Sequence, residues 1–321
     1  MHLRVVMTEI TTDQAPNYSA PRDESAPEIV ERRHGRALDY ALLLKPRVMS
    51  LVLFTGFAGM LLAPGHIDPV TGIIAVLAIA LGAGASGAIN MWYDRDIDGR
   101  MARTRNRPIP AGRLDPLPAL VLGTVLSVIS VGAMAAFVNE LAAFLLALTI
   151  TFYVFVYTIW LKRRTPQNIV IGGASGALPP MIGWAAVTGD IGLGAVVLFA
   201  IIFMWTPPHF WALSLYRCAD YENAGVPMLP VVAGVEKTKQ HILIYTLLLA
   251  PFTVAPALIG LSSWVAGILI GALSLAFVYH AVKILHDRSI RWAQRTFRFS
   301  IFYLFLIFVI LLVDHGINAL I

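Results

Sequence analysis

Charge is scarce in this sequence. Asp, Glu, Lys and Arg make up 13% of its 321 residues, where an ordinary soluble domain carries about 25%. The shortage is concentrated. Residues 48–64, 70–93, 117–138, 141–161, 167–187, 191–215, 242–260, 264–282 and 299–313 contain none of the four. Most of these runs are long enough to cross a hydrocarbon layer of about 30 Å as a helix, at about 20 residues per crossing. In lipid every backbone N–H and C=O must be satisfied internally, so such runs have to be helices. A soluble fold is excluded, because nine apolar helices leave no polar faces to cover it. The expected fold class is an all-α integral membrane protein with about nine transmembrane helices.

Cysteine is nearly absent too. Cys218 stands alone, which excludes an internal disulfide and a cysteine-based metal cluster. Residues 1–36 lack an apolar stretch of the kind found in a cleaved signal peptide, and their acidic residues argue against a mitochondrial transit peptide. Rich in Pro, Ser and Glu, they read as a disordered cytoplasmic tail. Residues 37–321 then form the transmembrane domain.

What charge there is has a pattern. All 24 Lys and Arg fall in the N-terminal region or in four alternate connections, Arg95–Arg113, Lys162–Arg164, Arg217–Lys239 and Lys283–Arg298. The connections near residues 64–69, 138–140, 188–192 and 261–263 hold none, and neither does the chain after Asp314. Lys and Arg in short loops stay on the cytoplasmic side, which predicts the N-terminus inside and the C-terminus outside. That requires an odd number of spans. The net charge of +5 then reflects topology and contact with anionic lipid, not nucleic-acid binding.

The second span ends in Asn90-Met-Trp-Tyr-Asp94-Arg-Asp96-Ile-Asp98-Gly99. Asn90, Asp94 and Asp98 are spaced i, i+4, i+8 and fall on one helix face at the membrane boundary. Hard oxygen donors of this kind suit Mg²⁺, which takes one or two carboxylates and fills its other positions with water and phosphate oxygens. A charged helix end reaching for water fits the same spacing. An EF-hand does not, because the position for its closing Glu is Arg105. Arg100, Arg103, Arg105, Arg107 and Arg113 follow. They serve either to neutralise the aspartates in an ordinary basic loop or, beside a metal, to grip a diphosphate leaving group bidentately.

A second polar cluster ends the sixth span, with Trp205-Thr-Pro-Pro-His209-Phe-Trp211 and then Tyr216-Arg217-Cys218-Ala219-Asp220-Tyr221-Glu222. Asp220 lies on the same side of the membrane as Asp98, and so does Lys162-Arg163-Arg164. His209 and His280 are the ionisable groups inside the spans apart from tyrosines, and an intramembrane histidine points to function. For His280, near a helix end, ordinary packing is the plainer reading.

At these residues the sequence resembles the membrane-embedded, UbiA-type prenyltransferase superfamily, from about Leu42 to the last span. Asn90-x₃-Asp94-x₃-Asp98 is similar to its first acidic motif. Arg103–Arg113 (RTRNRPIPAGR), Lys162–Gly173 (KRRTPQNIVIGG), Trp205–Trp211 (WTPPHFW) and Asp220–Pro230 (DYENAGVPMLP) resemble a haem-modifying subgroup. Many relatives carry two aspartates four apart in the second motif. Here Tyr216 takes the earlier slot, and Glu222 would point away from Asp220 on a helix.

The resemblance implies transfer of farnesyl from farnesyl diphosphate to a vinyl group of haem B, which is a substrate rather than a resident cofactor. It implies Mg²⁺ held by Asn90, Asp94, Asp98 and Asp220. Diphosphate would be bound by Asn90, Arg103, Arg107, Lys162 and Arg163, and haem by His209 with Trp205 and Trp211. It also implies a bacterial inner-membrane location, with a haem A synthase or oxidase assembly as a possible receiver of the product. Two other readings address the same residues. A sister enzyme would prenylate a phenolic or quinone-precursor ring. A transporter would place ionisable groups near the bilayer midplane, whereas here they crowd one surface.

Overall fold

The structure, a computed structural model, describes residues 37–287 and 289–320, apart from the Arg47 side chain. The tail expected over residues 1–36 lies outside the described residues.

Among the described residues the chain is helical throughout. Helices α1 (Ala37–Leu43) and α2 (Pro46–Leu62) form a bent pair. They are followed by α3 (Pro69–Tyr93), the short α4 (Arg95–Arg100), α5 (Pro116–Phe137) and α6 (Glu140–Thr151), which continues as a π-helical segment, Phe152–Leu161. Helices α7 (Asn168–Ala177) and α8 (Pro179–Thr188) make one span, and α9 (Leu193–Tyr216) the next. Then come the short α10 (Cys218–Asn223) and α11 (Leu229–Ala233), and the long α12 (Val235–Leu258), α13 (Trp264–His286) and α14 (Arg291–Asn318). Among the described residues eight stretches are long and apolar enough to cross a membrane, and nine when the pair bent by 56° at residues 44–47 counts as one. The protein is a multi-pass membrane protein.

The outer helices follow one another round a ring. Helix α3 packs on α2 and α5, α5 on α6, α12 on α9 and α13, and α14 on α13, α9 and α2, while the α7–α8 span joins α6 to α9. The α7–α8 span touches α2, α3, α6, the π-helical segment and α9, and 78% of its most apolar window is buried, against 17% for α5. Small residues let the centre close up. A Cβ on Gly59 would lie 2.0 Å from the Pro180 carbonyl oxygen, and one on Gly183 would lie 2.0 Å from that of Gly56. The α2 and α8 backbones therefore touch directly, as helices packed through small residues do.

Pro179 divides the fifth span at Leu178, but α9 runs on through Pro207 and Pro208. The expected single helix through Asp98 is not continuous. Asp94 leaves helical geometry at φ −86°, ψ 6°, although the Asp94 N–H still bonds the Asn90 carbonyl at 2.9 Å and the Asp98 N–H that of Asp94 at 2.8 Å. The i, i+4 register survives, and the axis turns as the chain leaves the apolar layer.

Candidate active site

The two acidic motifs meet through an apolar contact. Ile97 and Met101, on and just after α4, pack with Tyr221, Ala224, Val226 and Met228 from the segment after α9, and with Ile169 of α7. The Arg103 guanidinium lies 5.0 Å from the centre of the Tyr221 ring. Burial pushes the Tyr221 phenol above its ordinary range, against the pull of Arg103. This contact joins the basic connections after α3 and α9 at one end of the bundle.

Each acidic side chain here faces a cation. Asp94 is fully buried, and its Oδ2 accepts from Lys162 Nζ and, at 2.7 Å, from Asn90 Nδ2. Asp98, 2% exposed, accepts from Arg107 at 2.6 Å, while its backbone carbonyl takes the Thr104 hydroxyl at 2.8 Å. Arg163 forks onto Asp96 with two 2.7 Å bonds, lies 4.8 Å from the Tyr93 ring centre and comes within 3.5 Å of Asp94 Oδ1. The Arg163 fork holds the Asp96 carboxyl below the usual carboxylate range. Asp220 pairs at 3.6 Å with Arg217.

Asp94, Asp98 and Asp220 do not converge into a three-carboxylate metal cluster among the described residues. The donor set nonetheless fits Mg²⁺, which needs only one or two protein carboxylates. Asp94 Oδ1 and Asp220 Oδ2 are buried and accept no hydrogen bond, each facing only a guanidinium nitrogen at 3.5 and 3.6 Å, so both keep lone pairs for a bound cation. Asn90 stands differently from expectation, because its Oδ1 accepts from Lys45 Nζ at 2.7 Å. Its Nδ2 bonds Asp94 and, at 3.1 Å, Thr158 Oγ1, which fixes how the amide is turned.

Thr158 and Lys162, four residues apart across the end of the π-helical segment, reach Asn90 and Asp94, themselves four apart on α3 and its end. The Lys162 N–H bonds the Tyr157 carbonyl at 2.9 Å, an i−5 partner. Widened helical turns of this kind cluster at functional sites. A Cβ on Gly172 would lie 2.3 Å from the Tyr157 ring, so α7 leaves that side chain room beside the acidic motif.

Deeper in the bundle, His209 is stacked between Trp205 (ring centres 4.2 Å apart, 19° between planes) and Phe297 of α14 (4.7 Å, 26°), with Phe210 edge-on. Trp205 Nε1 donates to the Ser300 carbonyl at 2.8 Å. His209 Nδ1 lies 2.7 Å from the Ser300 hydroxyl, whose one proton goes to the Phe297 carbonyl at 2.8 Å. The Ser300 hydroxyl thus bridges the His209 ring and the Phe297 carbonyl and fixes the turn of the imidazole. Trp211 turns to the other side and packs edge-on to His241 and Tyr245 of α12. His280 stacks on Phe299 at 4.4 Å, in keeping with the packing role expected of it. Helix α9 ends at Tyr216, so Asp220 sits on a separate short helix, and His209 lies about 10 Å below the end of α9 at 1.5 Å per residue.

Lys45, Thr158, Phe297 and Ser300 are the site residues that sequence reasoning missed. Lys45 carried a weak signal as a lysine before a proline at the start of a span. The others lie in or beside apolar runs and carried none.

The UbiA prenyltransferase family model matches residues 52–312. A curated relative from Parvibaculum lavamentivorans, named protoheme IX farnesyltransferase, is 57% identical over 87% of this chain and 89% of its own. Another of that name, from Rhizobium rhizogenes, is 57% identical over 88% and 90%. Among solved structures, a digeranylgeranylglyceryl phosphate synthase superposes with a TM-score of 0.73 at 18% identity, covering 87% of this chain and 98% of that one. A UbiA homologue from Archaeoglobus fulgidus bound to GPP and Mg²⁺ gives 0.62 at 16%, covering 85% and 99%. Those two share the fold. With the model match and the close relatives, they establish that this chain belongs to the UbiA prenyltransferase family.

Proposed function

We propose that the protein transfers the farnesyl group of farnesyl diphosphate to a vinyl group of haem B, releasing diphosphate and giving haem O for a haem–copper oxidase. The observation that carries the reading is identity above 50%, across nearly the whole chain, to relatives named protoheme IX farnesyltransferase. The two-part site supports it, with a charged cluster at the basic end and an aromatic, histidine-bearing layer deeper on α9. A ring-prenylating sister enzyme has no comparable use for the stacked His209.

The basic end faces the cytoplasm in this reading, in a bacterial inner membrane, with the C-terminus outside. Asp94 and Asp220, whose buried Oδ1 and Oδ2 accept no hydrogen bond, would hold Mg²⁺, which would supply positive charge to the departing diphosphate oxygens; the Asn90 amide, with its Oδ1 taken by Lys45, would orient Asp94. Arg107 and Lys162, already gathered beside Asp98 and Asp94, bind and orient the diphosphate, as do Arg103 and Arg163. The C1–O bond of the farnesyl chain breaks as the terminal vinyl carbon bonds to C1. Water then adds to the inner vinyl carbon and a proton is released, leaving a hydroxyethylfarnesyl substituent. Apolar walls around Tyr157, Ile97, Met101 and Met228 keep water from the allylic carbon until that bond has formed. His209 would offer an imidazole nitrogen to haem iron, a common haem ligation. Trp205 and Phe297 hold the ring in place.

The test is incubation of purified protein with haem B, farnesyl diphosphate and Mg²⁺, followed by the porphyrin mass. A farnesyl-plus-water adduct is expected. An unchanged haem mass, together with prenylation of an added phenolic acid, would sink the haem reading in favour of the sister enzyme.

A further inference from the structure

Lys45 is the one non-glycine residue with a positive φ, +53°, among the described residues. It occupies the break between α1 and α2, just before Pro46. Left-handed backbone is unfavourable for a residue with a Cβ, and proline further restricts the residue before it. Such outliers persist where the surroundings enforce them, commonly at functional positions.

The surroundings here are built. Gly84 and Gly87 of α3 take the break against their backbone. A Cβ on Gly84 would lie 3.2 Å from that of Leu44, and one on Gly87 would lie 3.3 Å from the Leu43 carbonyl and 3.4 Å from Lys45 Cδ. The lysine stem lies along this glycine face and delivers Nζ to Asn90 Oδ1 at 2.7 Å. Arg107 and Lys162 are near enough to repel that ammonium, and Asp94 and Asp98 to attract it.

Lys45 thus adds a third nitrogen donor to Arg107 and Lys162 beside the two carboxylates Asp94 and Asp98. A diphosphate ester bound with one divalent cation carries about one net negative charge. Without Lys45 that ligand would meet one nitrogen donor fewer beside Asn90. From this we infer that Lys45 is a diphosphate-binding residue, and that the strained break exists to present its ammonium beside Asn90. The inference rests on the prenyl diphosphate reading above.

The test is equilibrium binding of the non-hydrolysable farnesyl S-thiolodiphosphate, with Mg²⁺, to the full-length protein in nanodiscs. Lys45→Gln should weaken binding at least about tenfold, and Lys45→Arg should stay within about threefold of the parent, because the site needs a cation. Lys45→Gly relieves the backbone strain. It should bind as weakly as Lys45→Gln while melting no lower than the parent. Parent-like binding by Lys45→Gln overturns the assignment. So does a loss of affinity that merely tracks a lower melting temperature in Lys45→Gly, which would make Lys45 a structural strut. If the parent itself fails to bind the analogue, the prenyl diphosphate reading falls, and the inference falls with it.

Discussion

Asp94 and Asp98 are so deeply enclosed that their removal and their chemistry have to be separated. Truncating Asp94 to alanine leaves the Lys162 ammonium without its partner, and breaking a buried pair in this way costs about 3–5 kcal/mol. Asp94→Asn and Asp98→Asn keep shape and hydrogen bonding. Each should lower kcat at least about 100-fold, with a far smaller loss of melting temperature, because charge at the leaving group matters most in the transition state. Removing the metal with EDTA should abolish turnover, and Mg²⁺ should restore it. Full activity in EDTA would rule out the metal site. At the other half of the site, His209→Ala should shift the haem absorption spectrum and leave affinity for the diphosphate analogue within about threefold, since the ring lies well below the charged cluster. The reverse pattern would move His209 to the diphosphate. The acidic motif could be read from its spacing, because carboxylates at a membrane boundary stand out against apolar sequence. Ser300 could not, because a serine that holds a histidine ring in place looks like any serine inside a span.

Between α2 and α8 the contact is backbone to backbone. Gly59→Ala or Gly183→Ala would set a methyl group 2.0 Å from a carbonyl oxygen. Each should lower the thermal stability of the protein in detergent, since overpacking costs about 1–3 kcal/mol and here no flexible side chain can yield. A variant of either kind melting with the parent would show that the two helices part freely. Asn139 makes a second tie. It caps α6 through the Ala142 N–H at 2.8 Å and donates to the Ala185 and Ala186 carbonyls of α8 at 2.8 and 3.2 Å. The apolar runs mark most of the long helices to within a few residues, although α12 and α14 begin seven and eight residues before theirs, and the glycines and prolines mark close packing. Which glycine meets which carbonyl depends on tertiary pairing that a single chain does not encode locally. The π-helical segment was equally hidden, because its residues Phe152–Leu161 satisfy α-helical and wider turns alike.

For the molecule as a whole, the alternate basic connections predict the orientation. Cysteines introduced at Asp190 and Asn318 should react with an impermeant thiol reagent from the outside, and cysteines replacing Asp96 or Glu222 should be shielded until the membrane is opened. Outside labelling at Glu222 would place the charged cluster on the wrong side for a cytoplasmic diphosphate. The spans also differ in what surrounds them. The α5 helix, mostly facing outward, is among the most apolar, whereas the central α7–α8 span is the least apolar of the eight and the most enclosed. That difference has a consequence for biosynthesis. A weakly apolar segment enters lipid poorly by itself, yet two of its neighbours, α2 and α6, emerge from the ribosome before it, and α9 follows directly after. The order of the chain lets the central helix pass from the insertion machinery into a cradle of its own earlier segments, so that lipid need never be its solvent.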